Sequence, residues 1–187
     1  MKKVFIVHGF GGIPNGGWRP WLMGELAKKD IYASALPMPN PEAPKKEEWI
    51  KTIVDAVKQP NEEIFLVGHS LGVPAILRYL ETLSVGQKIG GAVLVSGPLF
   101  IIQKNGYECV NKFLENSFDF EHLKNVCNNF VVVHGSDDQM VSFNDAEQIS
   151  KNLTCELVSV PEGKHLNVSA GFYEVPQILS SLEKIIF

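Results

Sequence analysis

The stretch Ile64-Phe65-Leu66-Val67-Gly68-His69-Ser70-Leu71-Gly72 decides the fold. Four apolar residues run without a polar break, as in a strand buried on both faces of a sheet. A Gly-x-Ser-x-Gly turn follows at once. Beyond it Leu71, Ala75, Leu77, Leu80 and Leu83 recur near helical spacing. Strand, tight turn and helix in immediate succession place Ser70 where a nucleophile elbow holds its serine. The backbone there is strained, Oγ stands above the sheet end, and the glycines let neighbouring backbone approach. A glycine-rich turn with an idle serine would share the five-residue pattern; the flanking strand and helix favour the elbow.

Working outward, apolar and β-branched runs recur at Val4–Val7, Ile31–Leu36, Ala92–Val95, Phe130–Val133 and Glu156–Val160. Candidate helices lie between and beyond them at Trp18–Lys29, Glu47–Lys58, Leu71–Ser84, Asp145–Asn152 and Val175–Ile186. Pro74 suits the third helix because it falls in the first turn, where backbone donors have no intrahelical acceptor. The alternation predicts an α/β fold with about six mainly parallel strands and helices on both faces. With 187 residues, 45% of them apolar, the chain suffices for one domain over 1–187. Pro37 to Pro44 reads as an extended surface connection. The segment Gly97–Asn128 is long for a connector and carries Leu99, Phe100, Ile101, Ile102, Phe113, Leu114, Phe118 and Phe120. It is either a small lid or acyl-pocket wall, or ordinary helical packing over the sheet.

Ligands of such sheets gather at the carboxyl ends of the strands, and the chemistry-bearing residues fall there. His8-Gly9-Phe10-Gly11-Gly12 follows the first strand. A bend there aims the backbone N–H of Phe10 over Ser70, with the N–H of Leu71 as a second donor to a developing oxyanion. Asp137 and Asp138 follow the fifth strand. Either carboxylate could orient an imidazole, or the pair could cap a turn. Asp138 is preferred because it precedes Val141 by three residues, similar to the Gly-x-x-Asp-x-x-Val pattern of triad aspartates. His165 follows the sixth strand, completing the chain order Ser70, Asp138, His165. His8 and His134 are read as shaping the floor, His69 as pointing away from Oγ, and His122 as solvated. Trp18, near the mouth, and Phe100 are the candidate substrate contacts.

Together the HGFGG, GHSLG, GSDDxxV and GxH elements and the Gly16–Leu22 tryptophan segment resemble the α/β-hydrolase superfamily. Within it, the chain resembles the small serine hydrolases related to retinoblastoma-binding protein nine and the bacterial YdeN-like proteins, over essentially its whole length. That resemblance implies a compact six-stranded fold without a large cap domain. Ser70 is then the nucleophile, His165 the general base and acid, Asp138 its orienter, and Phe10 and Leu71 the oxyanion donors. Ser142 departs from the pattern, where Pro is frequent. The retinoblastoma-pocket motif Leu-x-Cys-x-Glu is absent; Leu153-Thr154-Cys155-Glu156 is one residue too short.

The implied reaction is hydrolysis of a small ester, thioester or amide through an acyl-enzyme, with a small-molecule acyl substrate and no cofactor. A binding module on a hydrolase scaffold and an acyltransferase are the alternatives. A net charge of −4 argues against a nucleic-acid partner. No run is long enough to span a membrane, and no His/Asp/Glu grouping has metal-ligand spacing. Cys109, Cys127 and Cys155 form no paired motif, which fits reduced thiols and a cytoplasmic location.

Overall fold

In the computed structural model, which describes residues 1–187, six parallel strands form one sheet in the order β2-β1-β3-β4-β5-β6. They are β1 (Lys3–Val7), β2 (Tyr32–Ala35), β3 (Ile64–His69), β4 (Gly91–Val95), β5 (Phe130–Gly135) and β6 (Glu156–Val160). Helices α1 (Arg19–Ala27), α2 (Lys46–Val57), α3 (Gly72–Glu81), α4 (Glu108–Asn111), α5 (Phe120–Val126), α6 (Phe143–Leu153) and α7 (Pro176–Ile186) lie between and after them.

Strand alternation divides the apolar side chains between two cores. Val4, Ile6, Val67, Val93 and Val131 face α1 and α7, meeting Leu22, Leu26, Ile178 and Leu182. Phe5, Val7, Leu66, Leu94 and Val132 face the opposite way, against Trp49, Ile53, Ile76, Leu80 and Ile149. Burial on both faces is why these strands read as unbroken apolar runs. The chain leaves β1 for β2 on one side and returns to β3 on the other. The crevice at the carboxyl ends of β1 and β3 is therefore the topological switch point, where a doubly wound sheet binds ligands.

The Gly97–Asn128 connector contains α4 and α5, two short helices beyond those the sequence pattern shows. Val110, Phe113, Leu114, Phe118, Leu123 and Val126 are buried in the larger core, so most of the segment is packing over the sheet. His122, expected in solvent, is half-buried, with Nε2 enclosed and unpartnered. Ser142, the departure from the frequent Pro, caps α6 by accepting the Asn144 N–H at 3.2 Å. No helix is long and apolar enough to cross a membrane. The three cysteines are free thiols, and burial raises Cys155 to about 11.

Candidate active site

Ser70 follows β3 with φ at +53°, a left-handed conformation that costs a non-glycine residue energy and persists where the surroundings enforce it. Its N–H donates to Val95 O of β4 at 2.9 Å, and its carbonyl accepts from Val73 N at 2.9 Å. The glycines on either side are steric requirements. A Cβ at Gly72 would lie 2.2 Å from Val7 O, and one at Gly68 would lie 2.8 Å from the Gly72 carbonyl. Strand β1, the turn and the start of α3 thus meet backbone to backbone.

The loop after β1 lies against the serine: a Cβ at Gly9 would stand 2.8 Å from Ser70 Cβ. Gly11 N–H is tied to Pro41 O at 2.8 Å and Gly12 N–H to Gly9 O at 3.1 Å. The N–H groups of Phe10 and Leu71 donate to no backbone carbonyl. Leu71 precedes α3, so its N–H belongs to the unpaired first turn, while its side chain is in the larger core. Phe10 lines the cavity directly.

The two aspartates have different tasks. Asp138 Oδ2 accepts from His165 Nδ1 at 2.7 Å, and Oδ1 accepts from the N–H groups of Met140 and Val141 at 2.8 and 3.0 Å. Asp137 Oδ1 instead accepts from Lys164 N at 2.8 Å. Of the two candidates, Asp138 is the one that reaches the imidazole. Burial alone would raise the Asp138 carboxyl, but the His165 hydrogen bond, the imidazole's charge and the two N–H donors together hold it below its usual value.

His165 sits on a loop with Glu162, Lys164 and Leu166 all at positive φ. Such a segment needs fastening, and sequence reasoning did not identify the fasteners. Asp137 holds Lys164 N, His69 Nε2 donates to His165 O at 2.9 Å, and Trp18 Nε1 donates to Leu166 O at 2.9 Å. The end of β5 presses on the same loop: a Cβ at Gly135 would fall 2.0 Å from Lys164 O. The Nε2 edge of His69 is turned to this loop, although the residue also lines the cavity. Burial first, then the neighbouring His165 and Arg19, push its pKa down to about 3, keeping it neutral. Burial likewise lowers His8 and His134. His8 packs on Trp49, and His134 Nε2 bonds Val141 O at 3.1 Å behind Asp138.

Gly9, Phe10, Arg19, Ser70, Tyr107 and His165 help enclose a cavity of about 540 Å³. Trp18 contributes to its wall but is fully buried, with its indole N–H already committed. Phe100, the other candidate substrate contact, does not line this cavity and is 51% exposed. Its backbone is held by Asp145, whose Oδ1 accepts from Leu99 N at 2.7 Å and Phe100 N at 3.1 Å. Tyr107 is the one residue of the 97–128 segment that reaches the cavity. No group of three or more His, Cys, Asp or Glu converges in a way that could hold a metal ion. The cavity brings together a serine at positive φ, an imidazole backed by a carboxylate, and Phe10, whose N–H has no backbone acceptor; Leu71, the second such N–H, follows Ser70 directly.

Sheet order and the turn at Ser70 define an α/β-hydrolase. The family model described as serine hydrolase matches residues 4–184, and the chain belongs to that family. It is 33% identical over 181 residues to YdeN of Bacillus subtilis (strain 168), named as a hydrolase, covering 97% of this chain and 94% of that one. The crystal structure of that ydeN gene product superposes with a TM-score of 0.93 at 32% identity, over 99% of this chain and 98% of the other. Serine hydrolase RBBP9 of Rattus norvegicus is 22% identical over 183 residues, 96% of this chain and 95% of its own. The esterase RhEst1 from Rhodococcus sp. ECU1013 shares the fold, with a TM-score of 0.72 at 17% identity over 99% of this chain and 90% of that one.

Proposed function

We propose that this serine hydrolase cleaves small esters, thioesters or amides through an acyl-enzyme on Ser70. The observation that carries the reading is the 2.7 Å bond from His165 Nδ1 to the buried carboxylate of Asp138, with His165 lining the same cavity as Ser70. With Nδ1 protonated and held there, Nε2 is the basic nitrogen and takes the Ser70 proton as Oγ attacks the carbonyl carbon. The tetrahedral oxyanion is met by the N–H groups of Phe10 and Leu71, fixed donors that need no rearrangement as charge develops. Protonated His165 then gives its proton to the leaving alcohol, thiol or amine. In the second half, a water loses a proton to Nε2, attacks the acyl carbon and releases the acid and Ser70.

The test is turnover of p-nitrophenyl acetate or butyrate by purified wild type and Ser70→Ala. The variant should fold and lose activity by roughly 10³-fold or more. A variant retaining most of the turnover would remove Ser70 from the chemistry.

A further inference from the structure

Arg19 is the one charged group in the cavity wall that the acyl chemistry does not use. It is only 6% exposed, yet no carboxylate is paired with it, and no Asp or Glu lines the cavity. Its Nε donates to Ile13 O and Pro14 O at 3.2 and 3.3 Å, and Nη2 donates to Ile13 O at 2.8 Å. Those carbonyls satisfy hydrogen bonds but bring no compensating charge. Nη1 makes no bond within the protein and is not enclosed. The Trp18 ring, 5.8 Å from Cζ, offers a weak partner. Burial lowers the guanidinium to about 10, so it remains a cation at neutral pH.

Buried charges are ordinarily paired, because an uncompensated one loses its hydration for nothing. The neighbouring polar groups do not supply the missing anion: Asn15, Asn167, Ser169 and Tyr173 are neutral, and His69 is kept neutral by burial. A guanidinium prepositioned by its own backbone contacts, with one nitrogen free, is suited to meet a planar carboxylate.

We propose that the cavity selects acyl substrates carrying a carboxylate, and that Arg19 donates to that carboxylate while the scissile carbonyl lies at Ser70. The inference rests on the hydrolase reading for its orientation but not for its binding test. That test uses Ser70→Ala, which cannot turn the ligands over, titrated at pH 7.5 and followed by NMR. The probes are the monomethyl esters of succinate, glutarate and adipate, each against its uncharged dimethyl ester. A charged hydrogen bond is worth roughly one to two decades in affinity. At the best chain length the monoanion should therefore bind about tenfold or more tightly than the diester. Adding Arg19→Gln, which keeps a donor for Ile13 O and removes the charge, should bring the ratio near one. Arg19→Lys should keep part of it.

A ratio near one in Ser70→Ala at every length overturns the proposal, whatever the second variants do. So does a ratio that survives Arg19→Gln. Fluorophosphonate labelling of the wild type separates the two readings. An adduct without carboxylate preference removes the Arg19 role alone; preference without an adduct removes the hydrolase reading and leaves the anion site.

Discussion

Replacing His69 with Gln should flatten the acid side of the stability profile. In the fold His69 is buried, donates to His165 O at 2.9 Å, and has its pKa pushed down to about 3. Burial is the main cause; His165 and Arg19 add to it, and Asp138 opposes. In the unfolded chain the same side chain titrates near about 6.5. Above that value both states leave it neutral, and it contributes no pH dependence. As pH falls below about 6.5 the unfolded chain takes up a proton that the folded protein refuses, so stability is lost progressively until about 3. Between pH 7 and pH 5 the His69 contribution amounts to about 2 kcal/mol, approaching ~1.4 kcal/mol per pH unit at the lower end. His8 and His134 act in the same direction and remain in the variant. Urea unfolding at pH 7, 6 and 5 gives the comparison. The wild type should lose about 2 kcal/mol more than His69→Gln over that interval. Equal losses would show that His69 titrates normally in the fold and that its burial does not hold it neutral.

The two aspartates should separate cleanly by substitution. Asp138→Asn removes the acceptor for His165 Nδ1–H and should lower kcat for an aryl ester by roughly 10³- to 10⁴-fold; Asp137→Asn keeps an oxygen for Lys164 N and should cost about tenfold or less. The reverse ranking would reverse the assignment. Gly72→Ala drives a Cβ to 2.2 Å from Val7 O and should destabilise the fold by about 3 kcal/mol or more in urea titrations. Gly24→Ala is its counterpart: it meets nothing within 4 Å, sits inside α1, and should stabilise by about 0.5–1 kcal/mol. Equal effects of the two would contradict the steric argument at the turn.

Where side chains face decided what the sequence could disclose. Strands β1, β3, β4 and β5 are buried nearly throughout and leave continuous apolar runs. The partly exposed edge strands β2 and β6 showed through the apolar residues in and beside them, such as Ile31, Leu36, Leu157 and Val160. Helices α1, α2, α3, α6 and α7 were visible too. Helices α4 and α5 are four and seven residues long, too short for a periodic pattern to rise above the apolar content of the connector. Ser70, Asp138 and His165 stood out because each follows a strand end beside glycine. Choosing Asp138 over Asp137 depended on a motif, since neighbouring residues differ only in direction, and direction is set by the turn. The fastening of the His165 loop left no local trace. Trp18 and His69 lie 148 and 96 residues from the carbonyls they hold, and only the folded chain brings them together. The same is true of the backbone at Phe100, which Asp145, 45 residues on, holds by a hydrogen bond. Arg19 reads as an ordinary surface residue at a helix start until burial shows it to be unpaired.

The central claim is an activated serine at the turn after β3, and covalent labelling reads it most directly. Wild type and Ser70→Ala are incubated with a fluorophosphonate and their intact masses recorded. One adduct on the wild type and none on the variant is the predicted result. A well-folded wild type without an adduct, or an adduct that persists in Ser70→Ala, would contradict it.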